Sequence, residues 1–159
     1  MTKTGRNLKL GHELFLEIAA GACDEAYGVE LVVQGAALNV ANAEGITTLM
    51  SAAAEGHGKI VEAMLKSGRD VALNAQDDHG WTALITAVHR DKPGIVKLLL
   101  DAGADVGVKD KMERDVFYYG TANVHALLMY AAARNELLRG ATATENPVTP
   151  MRPLKLKIP

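Results

Sequence analysis

The sequence predicts an all-α fold in which pairs of helices repeat along the chain. Alanine and leucine supply 44 of the 159 residues, while aromatic residues supply only 4%. Small and straight-chain residues favour helices. Two stretches of the chain also recur after 35 residues, and self-similarity at a period of roughly 20 to 50 residues indicates a solenoid of stacked units.

The repeat is clearest in the middle of the chain. The recurring segments are residues 45–53 (GITTLMSAA) with 80–88 (GWTALITAV), and residues 60–68 (IVEAMLKSG) with 95–103 (IVKLLLDAG). An earlier copy begins at Gly35, 33 residues before Gly68. The repeat length is therefore 33 residues, and two further residues are inserted near Ala72 and Leu73.

Residues at fixed places in the repeat predict where its helices begin and end. Thr47 and Thr82 each precede an apolar helical pattern and are good N-cap residues. Pro93 falls where a first helical turn tolerates proline. Gly68 and Gly103 follow helix ends, where a left-handed residue is favoured. Each unit is therefore expected to be a helix-turn-helix that buries its apolar face only by stacking on its neighbours.

These positions resemble the ankyrin repeat family. The family pattern runs G-x-T-P-L-H-x-A-A, then G-H, then V-x-x-L-L, then G-A-D-V-N, over about 33 residues. Residues 53–57 (AAEGH) and 101–106 (DAGADV) match it closely, whereas Thr48 and Ala83 replace its proline. The resemblance covers about residues 10–138 and implies an ankyrin-type helix-turn-helix solenoid with hairpin loops between the units.

The same register extends into a fourth unit, because His125 follows His57 by 68 residues, one long and one short period. Both histidines are expected to have structural roles at the start of second helices. The predicted repeat domain is residues 11–138, about four repeats with irregular terminal caps. Its units span about residues 11–41, 42–76, 77–109 and 110–138.

The two ends of the domain are less regular. An N-terminal segment, residues 1–10, precedes a first unit with predicted helices at 14–20 and 29–33. Glu13 and Glu17 give the first helix of this unit the solvent-facing polar side that is expected of an end cap.

In the fourth unit, residues 114–120 begin the first helix and residues 126–138 form the second. The alternative register starts a new unit at Ala126, and the first is preferred because it keeps His125 in phase. Residues 139–159 are expected to form a Pro-rich, extended or disordered tail.

Composition and charge exclude several classes of protein. No apolar stretch approaches the roughly 20 residues of a transmembrane helix. The net charge of −2 gives no strong nucleic-acid signal. The single cysteine, Cys23, has no intramolecular disulfide partner, which fits a reducing compartment. We therefore expect a cytoplasmic protein.

A search for catalytic chemistry gives no specific motif. The chain lacks a phosphate-binding G-x-x-x-x-G-K loop and the two-histidine zinc motif. Cys23 as the nucleophile of a hydrolase is the least favoured function, because a small residue at a helix junction explains the cysteine better. A metal site drawn from His79 and His89 is likewise disfavoured, because exposed polar residues are expected at both places. No enzyme activity, cofactor or metal ion is predicted.

The resemblance implies protein binding through the hairpin tips and the exposed ends of the first helices. The positions that correspond to this surface are Ala43, Glu44, Ile46, Ala54, Glu55, Asp78, His79, Trp81, His89, Arg90, Lys111, Met112 and Arg114. Trp81 is expected to be at least partly exposed, with packing against the next repeat as the alternative. The mapped acidic residues come earlier in the chain than the mapped basic ones, so a partner with the opposite gradient would associate faster.

The sequence thus predicts a non-catalytic module that binds another protein of unknown identity, as an inhibitor or a complex subunit. An adaptor for an anionic membrane or nucleic acid is the alternative, acting through the basic tail residues Arg152, Lys155 and Lys157. Homo-oligomerisation is left open, since a second copy is one possible cover for the end caps.

Overall fold

The fold is an all-helical solenoid of four helix-turn-helix units, which confirms the predicted fold class. The computed structural model describes residues 3–21 and 23–141. Across these two ranges the chain forms eight helices and no strand. The helices are α1 (Lys3–Ala19), α2 (Glu25–Val33), α3 (Thr48–Glu55), α4 (Gly58–Lys66), α5 (Ala83–His89), α6 (Pro93–Asp101), α7 (Val116–Tyr119) and α8 (Ala122–Ala141).

The helices stack in two rows. The first helices of successive units, α1, α3, α5 and α7, pack on one another, and so do the second helices, α2, α4, α6 and α8. Six of the eight residues of α3 and five of the seven of α5 are buried. Ala52, Ala53 and Ala87 are fully buried, and their small side chains let neighbouring helices approach closely. The core is therefore continuous from unit to unit.

The predicted N-caps are present and have a third counterpart. The Thr47 hydroxyl accepts a hydrogen bond from the Met50 amide at 3.2 Å, and the Thr82 hydroxyl accepts one from the Ile85 amide at 3.2 Å. In the fourth unit the Asp115 carboxylate accepts from two amides of α7. Each cap satisfies amides that the first turn leaves without intrahelical partners.

The other local predictions also hold. Pro93 lies in the first turn of α6. Gly68 and Gly103 follow α4 and α6 with φ angles of +67° and +92°, in the left-handed region. These residues end the second helices and direct the chain into the next hairpin.

The hairpins share one internal hydrogen-bond pattern. Asn42, Asp77 and Asp110 occupy equivalent positions, and each side chain accepts from the backbone amides two and four residues later, at 2.8–3.0 Å. Short polar side chains stabilise tight turns in this way. Each of the three hairpin tips is therefore stabilised by hydrogen bonds within its own sequence, in addition to those with its neighbours.

Neighbouring hairpins are joined through their backbones. The Asp78 amide donates to the Glu44 carbonyl at 2.9 Å, and the Lys111 amide donates to the His79 carbonyl at 3.0 Å. Gly80 makes the second approach possible, because a Cβ there would lie 2.8 Å from the Lys111 nitrogen.

The third hairpin departs from this pattern. Its equivalent of Gly80 is Glu113, which adopts the same left-handed conformation at φ +60°. No hairpin stacks beyond it within the described residues, so its side chain meets no neighbouring backbone.

The first helix is longer than the sequence predicts. Residues 3–10, expected to form a separate segment, belong to α1, and the second helix starts at Glu25 rather than near Val29. Gly11, Leu14 and Ile18 are buried on α1, and the Asn7 carbonyl accepts from the Ala37 amide at 2.8 Å. The extra turns of α1 are therefore held against the loop after α2. The polar residues of these turns form the exposed face of α1.

The fourth unit follows the preferred register but differs in detail. Its first helix, α7, has only four residues, while α8 begins four residues earlier than predicted and continues to Ala141. Residues 139–141, assigned to the tail, are thus helical, and residues 142–159 lie outside the described residues. His125 lies in the first turn of α8 and packs edge-on against Phe117, with ring centroids 5.7 Å apart. The alternative register is wrong, because Ala126 lies inside α8 rather than at the start of a new unit.

Candidate partner-binding groove

A concave groove runs along one side of the solenoid. Its volume is about 750 Å³, and residues from all four units line it. One wall consists of hairpin residues such as Asp78 and Lys111, and the other consists of the ends of first helices, including Ala54 and Arg90. This is the type of concave surface on which repeat solenoids bind their partners.

Most of the predicted partner-binding residues come together in this groove. Eleven of the thirteen line it: Ile46, Ala54, Glu55, Asp78, His79, Trp81, His89, Arg90, Lys111, Met112 and Arg114. Ala43 and Glu44 do not line it, although both are exposed near the tip of the first hairpin. The predicted set is therefore one spatial cluster with two residues at its margin.

Sequence reasoning missed part of the lining. The additional residues are Phe15, Ala19, Asn42, Met50, Ser51, Asp77 and Thr86. Phe15 and Ala19 precede Met50 and Ala54 by 35 residues, two more than the spacing of Gly35 and Gly68, so the repeat register did not place them here. They extend the apolar part of the groove into the first unit.

Trp81 anchors an aromatic cluster in the groove. Its ring centroid lies 4.9 Å from that of His89 and 5.1 Å from that of Tyr119, in tilted and edge-to-face arrangements. Trp81 is partly buried and packs against the hydrophobic core. Trp81 is therefore both partly exposed and packed against the next repeat. It contacts Tyr119 of the fourth repeat, while part of its ring lines the groove.

Asp110 lies beside this cluster and holds the base of the last hairpin. Its carboxylate is buried and accepts from the Arg114 guanidinium at 2.6 and 2.8 Å and from the Tyr119 hydroxyl at 2.5 Å. Burial alone would raise the pKa of Asp110, but these hydrogen bonds and two from backbone amides hold that pKa well below its usual value. Arg114 is thereby fixed in a structural pair, with its guanidinium over the rings of Tyr118 and Tyr119.

Four other charged side chains of the groove have no such partner. Glu55, Asp78, Arg90 and Lys111 are exposed, and none forms a side-chain hydrogen bond or ion pair within the described residues. Glu55 and Asp78 belong to the second unit and to the hairpin that follows it, whereas Arg90 and Lys111 lie further along the stack. The free charges of the groove therefore change from negative to positive towards the C-terminal units.

The environment of Cys23 disfavours a nucleophile. The residue is buried, and burial together with nearby Glu17 and Asp24 raises the pKa of its thiol. A raised pKa reduces the thiolate fraction on which nucleophilic attack depends. The Cys23 thiol instead contacts the carbonyl of Asp24 at 3.5 Å.

The two histidines considered for a metal site, His79 and His89, both line the groove. His89 packs against Trp81, and His79 lies on the hairpin 4.0 Å from the Asp77 carboxylate. In the part of the chain that the structure describes, no cluster of three or more potential ligand side chains has the geometry to hold a metal ion. None of its helices combines the length and the apolar composition needed to cross a membrane.

Stacked helix pairs, ordered hairpins and a concave groove together define a helical repeat protein of the solenoid class. A family model for ankyrin repeats matches three copies over residues 16–110, which is 95 of the 159 residues. The chain belongs to the ankyrin repeat family, as its sequence motifs predicted. Ankyrin repeats generally serve as protein–protein interaction modules and are typically non-catalytic. Comparison with curated proteins gave no match.

Proposed function

We propose that this protein binds a partner protein in the groove between its hairpins and the ends of its first helices. The observation that carries the proposal is the apolar floor of the groove. Ile46, Met50, Ala54 and Trp81 line it next to exposed charged residues of both signs. An apolar centre with a polar rim is the usual anatomy of a protein interface.

Trp81 supplies the main contact in this proposal. Tryptophan is enriched among the residues that dominate binding energies. Contacts with His89 and Tyr119 hold its ring in place, so little side-chain freedom remains to be lost on binding. An apolar side chain of the partner packs against this ring.

The free charges of the groove select and orient the partner. Arg90 and Lys111 attract acidic groups at the C-terminal end of the groove, while Glu55 and Asp78 attract basic groups towards the other end. Because these side chains are exposed, their main effect is on association rate and orientation rather than on final affinity.

The proposed role is that of an inhibitor or a complex subunit, which acts by covering a surface of its partner. The raised pKa of the Cys23 thiol argues against the alternative of a Cys23-dependent hydrolase. The buried, reduced thiol of Cys23 also fits the proposed cytoplasmic location.

A pull-down from host lysate, analysed by mass spectrometry, tests the proposal. Wild-type protein is compared with the double variant Trp81→Ala/Arg90→Glu. The matched control is Val33→Ala/Lys9→Glu, which makes the same kinds of change at exposed positions of α2 and α1 outside the groove.

A protein recovered by wild type and control but lost with the groove variant supports the proposal. Equal recovery by all three contradicts it and moves the binding surface elsewhere. Circular dichroism must first show unchanged helix content in both variants.

A further inference from the structure

Helix α8 carries apolar residues on two opposite faces. Val124, Leu128 and Ala131 are buried on the side where α8 packs against α6. The opposite side presents Ala126, Tyr130, Ala133 and Leu137, all exposed, at successive spacings of four, three and four residues. These four residues form the outer stripe, and this spacing places them on one face of the helix.

The outer stripe contains large side chains with little cover. Tyr130 is 72% exposed and Leu137 is 75% exposed, and neighbouring Met129 is 57% exposed. A helix that is apolar on opposite faces is normally buried on both. The outer stripe is therefore suited to contact a further surface.

The repeat register argues that a further ankyrin unit would leave Tyr130 exposed, although it would cover the position of Ala133, whose equivalent Leu100 is buried. The positions equivalent to Tyr130 in the second and third units hold Glu62 and Lys97. Their side chains remain 44% and 65% exposed although repeats stack beside them, and they pair with Lys66 and Asp101 on their own helices. A further repeat stacked on α8 would thus leave the Tyr130 side chain exposed to solvent.

The last hairpin also opposes a further unit. At the equivalent of Gly80 it carries Glu113. A Cβ at Gly80 would lie 2.8 Å from the nitrogen of the next hairpin. A hairpin stacked in the same way on Glu113 would meet its side chain.

We propose that the outer stripe binds the outer stripe of a second copy of this chain, with the two α8 helices antiparallel. A two-fold axis between residues 131 and 132 places Ala126 opposite Leu137 and Tyr130 opposite Ala133 of the other copy. Each large side chain then faces a small one, as close packing requires. A parallel pair would instead place tyrosine against tyrosine and leucine against leucine.

The antiparallel arrangement is also electrostatically acceptable. It opposes the dipoles of the two helices. Glu136, the exposed acidic residue beside the outer stripe, lies nine residues along the axis from Glu136 of the other copy, about 13 Å away, so the two carboxylates do not face each other. The contact is isologous and closes as a two-fold dimer, the commonest form of soluble oligomer.

The length of α8 sets the expected affinity. Twenty residues form a helix about 30 Å long and about 10 Å across. Two such faces bury on the order of 1,000 Å² in total, below the roughly 1,200–2,000 Å² of stable specific interfaces and in the range of weak ones. We therefore expect dimerisation in the micromolar range rather than an obligate dimer.

Sedimentation equilibrium of the full chain, from low to high micromolar concentration, tests the proposal. Tyr130→Ala should weaken the dimer about tenfold, because it leaves alanine opposite alanine. Ala133→Tyr should weaken it comparably, since it forces tyrosine against tyrosine. The double variant Tyr130→Ala/Ala133→Tyr restores large against small and should recover the dissociation constant to within about threefold of wild type.

Val33→Ala is the matched control, since Val33 is an exposed apolar residue on α2. It should leave the dimer unchanged, and thermal melting must show that each variant is folded. A full chain that stays monomeric throughout overturns the proposal, including the case in which residues 142–159 cover the stripe. A dimer insensitive to Tyr130→Ala, or a double variant as weak as the singles, overturns it as well.

Discussion

Trp81 of the third repeat meets Tyr119 of the fourth edge to face, with ring centroids 5.1 Å apart. The Tyr119 hydroxyl donates to the buried carboxylate of Asp110, so the aromatic contact is tied to the last hairpin. The groove surface around Trp81 thus depends on residues that fix the fourth unit to the third.

A double-mutant cycle should detect this contact. Trp81→Ala and Tyr119→Ala are expected to be non-additive by about 0.5–1.5 kcal/mol in the free energy of unfolding, the range for paired aromatic rings. Urea unfolding followed by circular dichroism measures it. Tyr119→Phe is the control, because it keeps the ring and removes only the hydroxyl. Additive single effects would show that the rings meet without stabilising each other.

The Asp110 carboxylate should make stability depend on pH in the acid range. Its pKa is lowered in the folded protein by hydrogen bonds from Arg114 and Tyr119, which outweigh the effect of burial. In the unfolded chain it should titrate near the usual value of about 3.9. Its contribution is therefore complete above that pH and is lost as the pH falls towards the lower folded value.

Asp110→Asn is the comparison for that prediction. Urea unfolding at several pH values from neutral to below the ordinary carboxyl pKa should show a steeper decline for wild type than for the variant. Parallel curves would mean that Asp110 titrates alike in both states.

Gly80→Ala should destabilise the protein more than Gly68→Ala does. Both glycines have left-handed backbones, so an alanine at either position carries a conformational penalty of about 1 kcal/mol. At Gly80 the new Cβ also meets the backbone of the next hairpin, whereas nothing lies within 4 Å at Gly68. We expect a total loss of at least about 2 kcal/mol for Gly80→Ala. Equal melting temperatures for the two variants would show that the hairpins can move apart at Gly80 without loss of stability.

Glu113→Gly should stabilise the protein slightly. The substitution removes the strain of a non-glycine residue at φ +60°, offset in part by the greater freedom of glycine in the unfolded chain. The Glu113 ion pair with Lys109 is exposed and contributes little. A gain of about 0.5 kcal/mol in the free energy of unfolding is expected, and a loss would contradict this interpretation.

Arg90→Glu should slow association with the partner that the pull-down identifies. Arg90 is exposed, lines the groove and has no ion-pair partner within the described residues. At low salt the association rate should fall by about tenfold or more, and the difference should shrink as salt screens the charges. Surface plasmon resonance at two ionic strengths measures it, with Lys9→Glu on α1 as the control. An unchanged association rate would remove Arg90 from the interface.

Positions fixed by the repeat were predictable, whereas contacts between side chains that do not recur were not. Thr47, Thr82 and His125 could be placed from the sequence because the same local signal returns at a fixed spacing. Tyr119 could not, since its equivalents are Ser51 and Thr86 and its ring finds Trp81 only through tertiary packing.

The limits of α1 and α7 escaped prediction for a related reason. Each depends on contacts made at one end of the stack, such as that of Asn7 with the loop after α2. A repeat pattern carries no information on such contacts.

Within the described residues the hairpins are bonded only to their nearest neighbours, as Glu44 is to Asp78 and His79 is to Lys111. Such a linear array opens by fraying from its ends, and its middle does not protect its termini. A chain lying in the groove would touch Phe15 of the first unit and Arg114 of the fourth at once. Such a partner chain would couple the first and fourth units, which are otherwise independent of each other. Amide hydrogen exchange should therefore slow most in the outermost helices when the partner binds, although the contacts lie mainly in the centre.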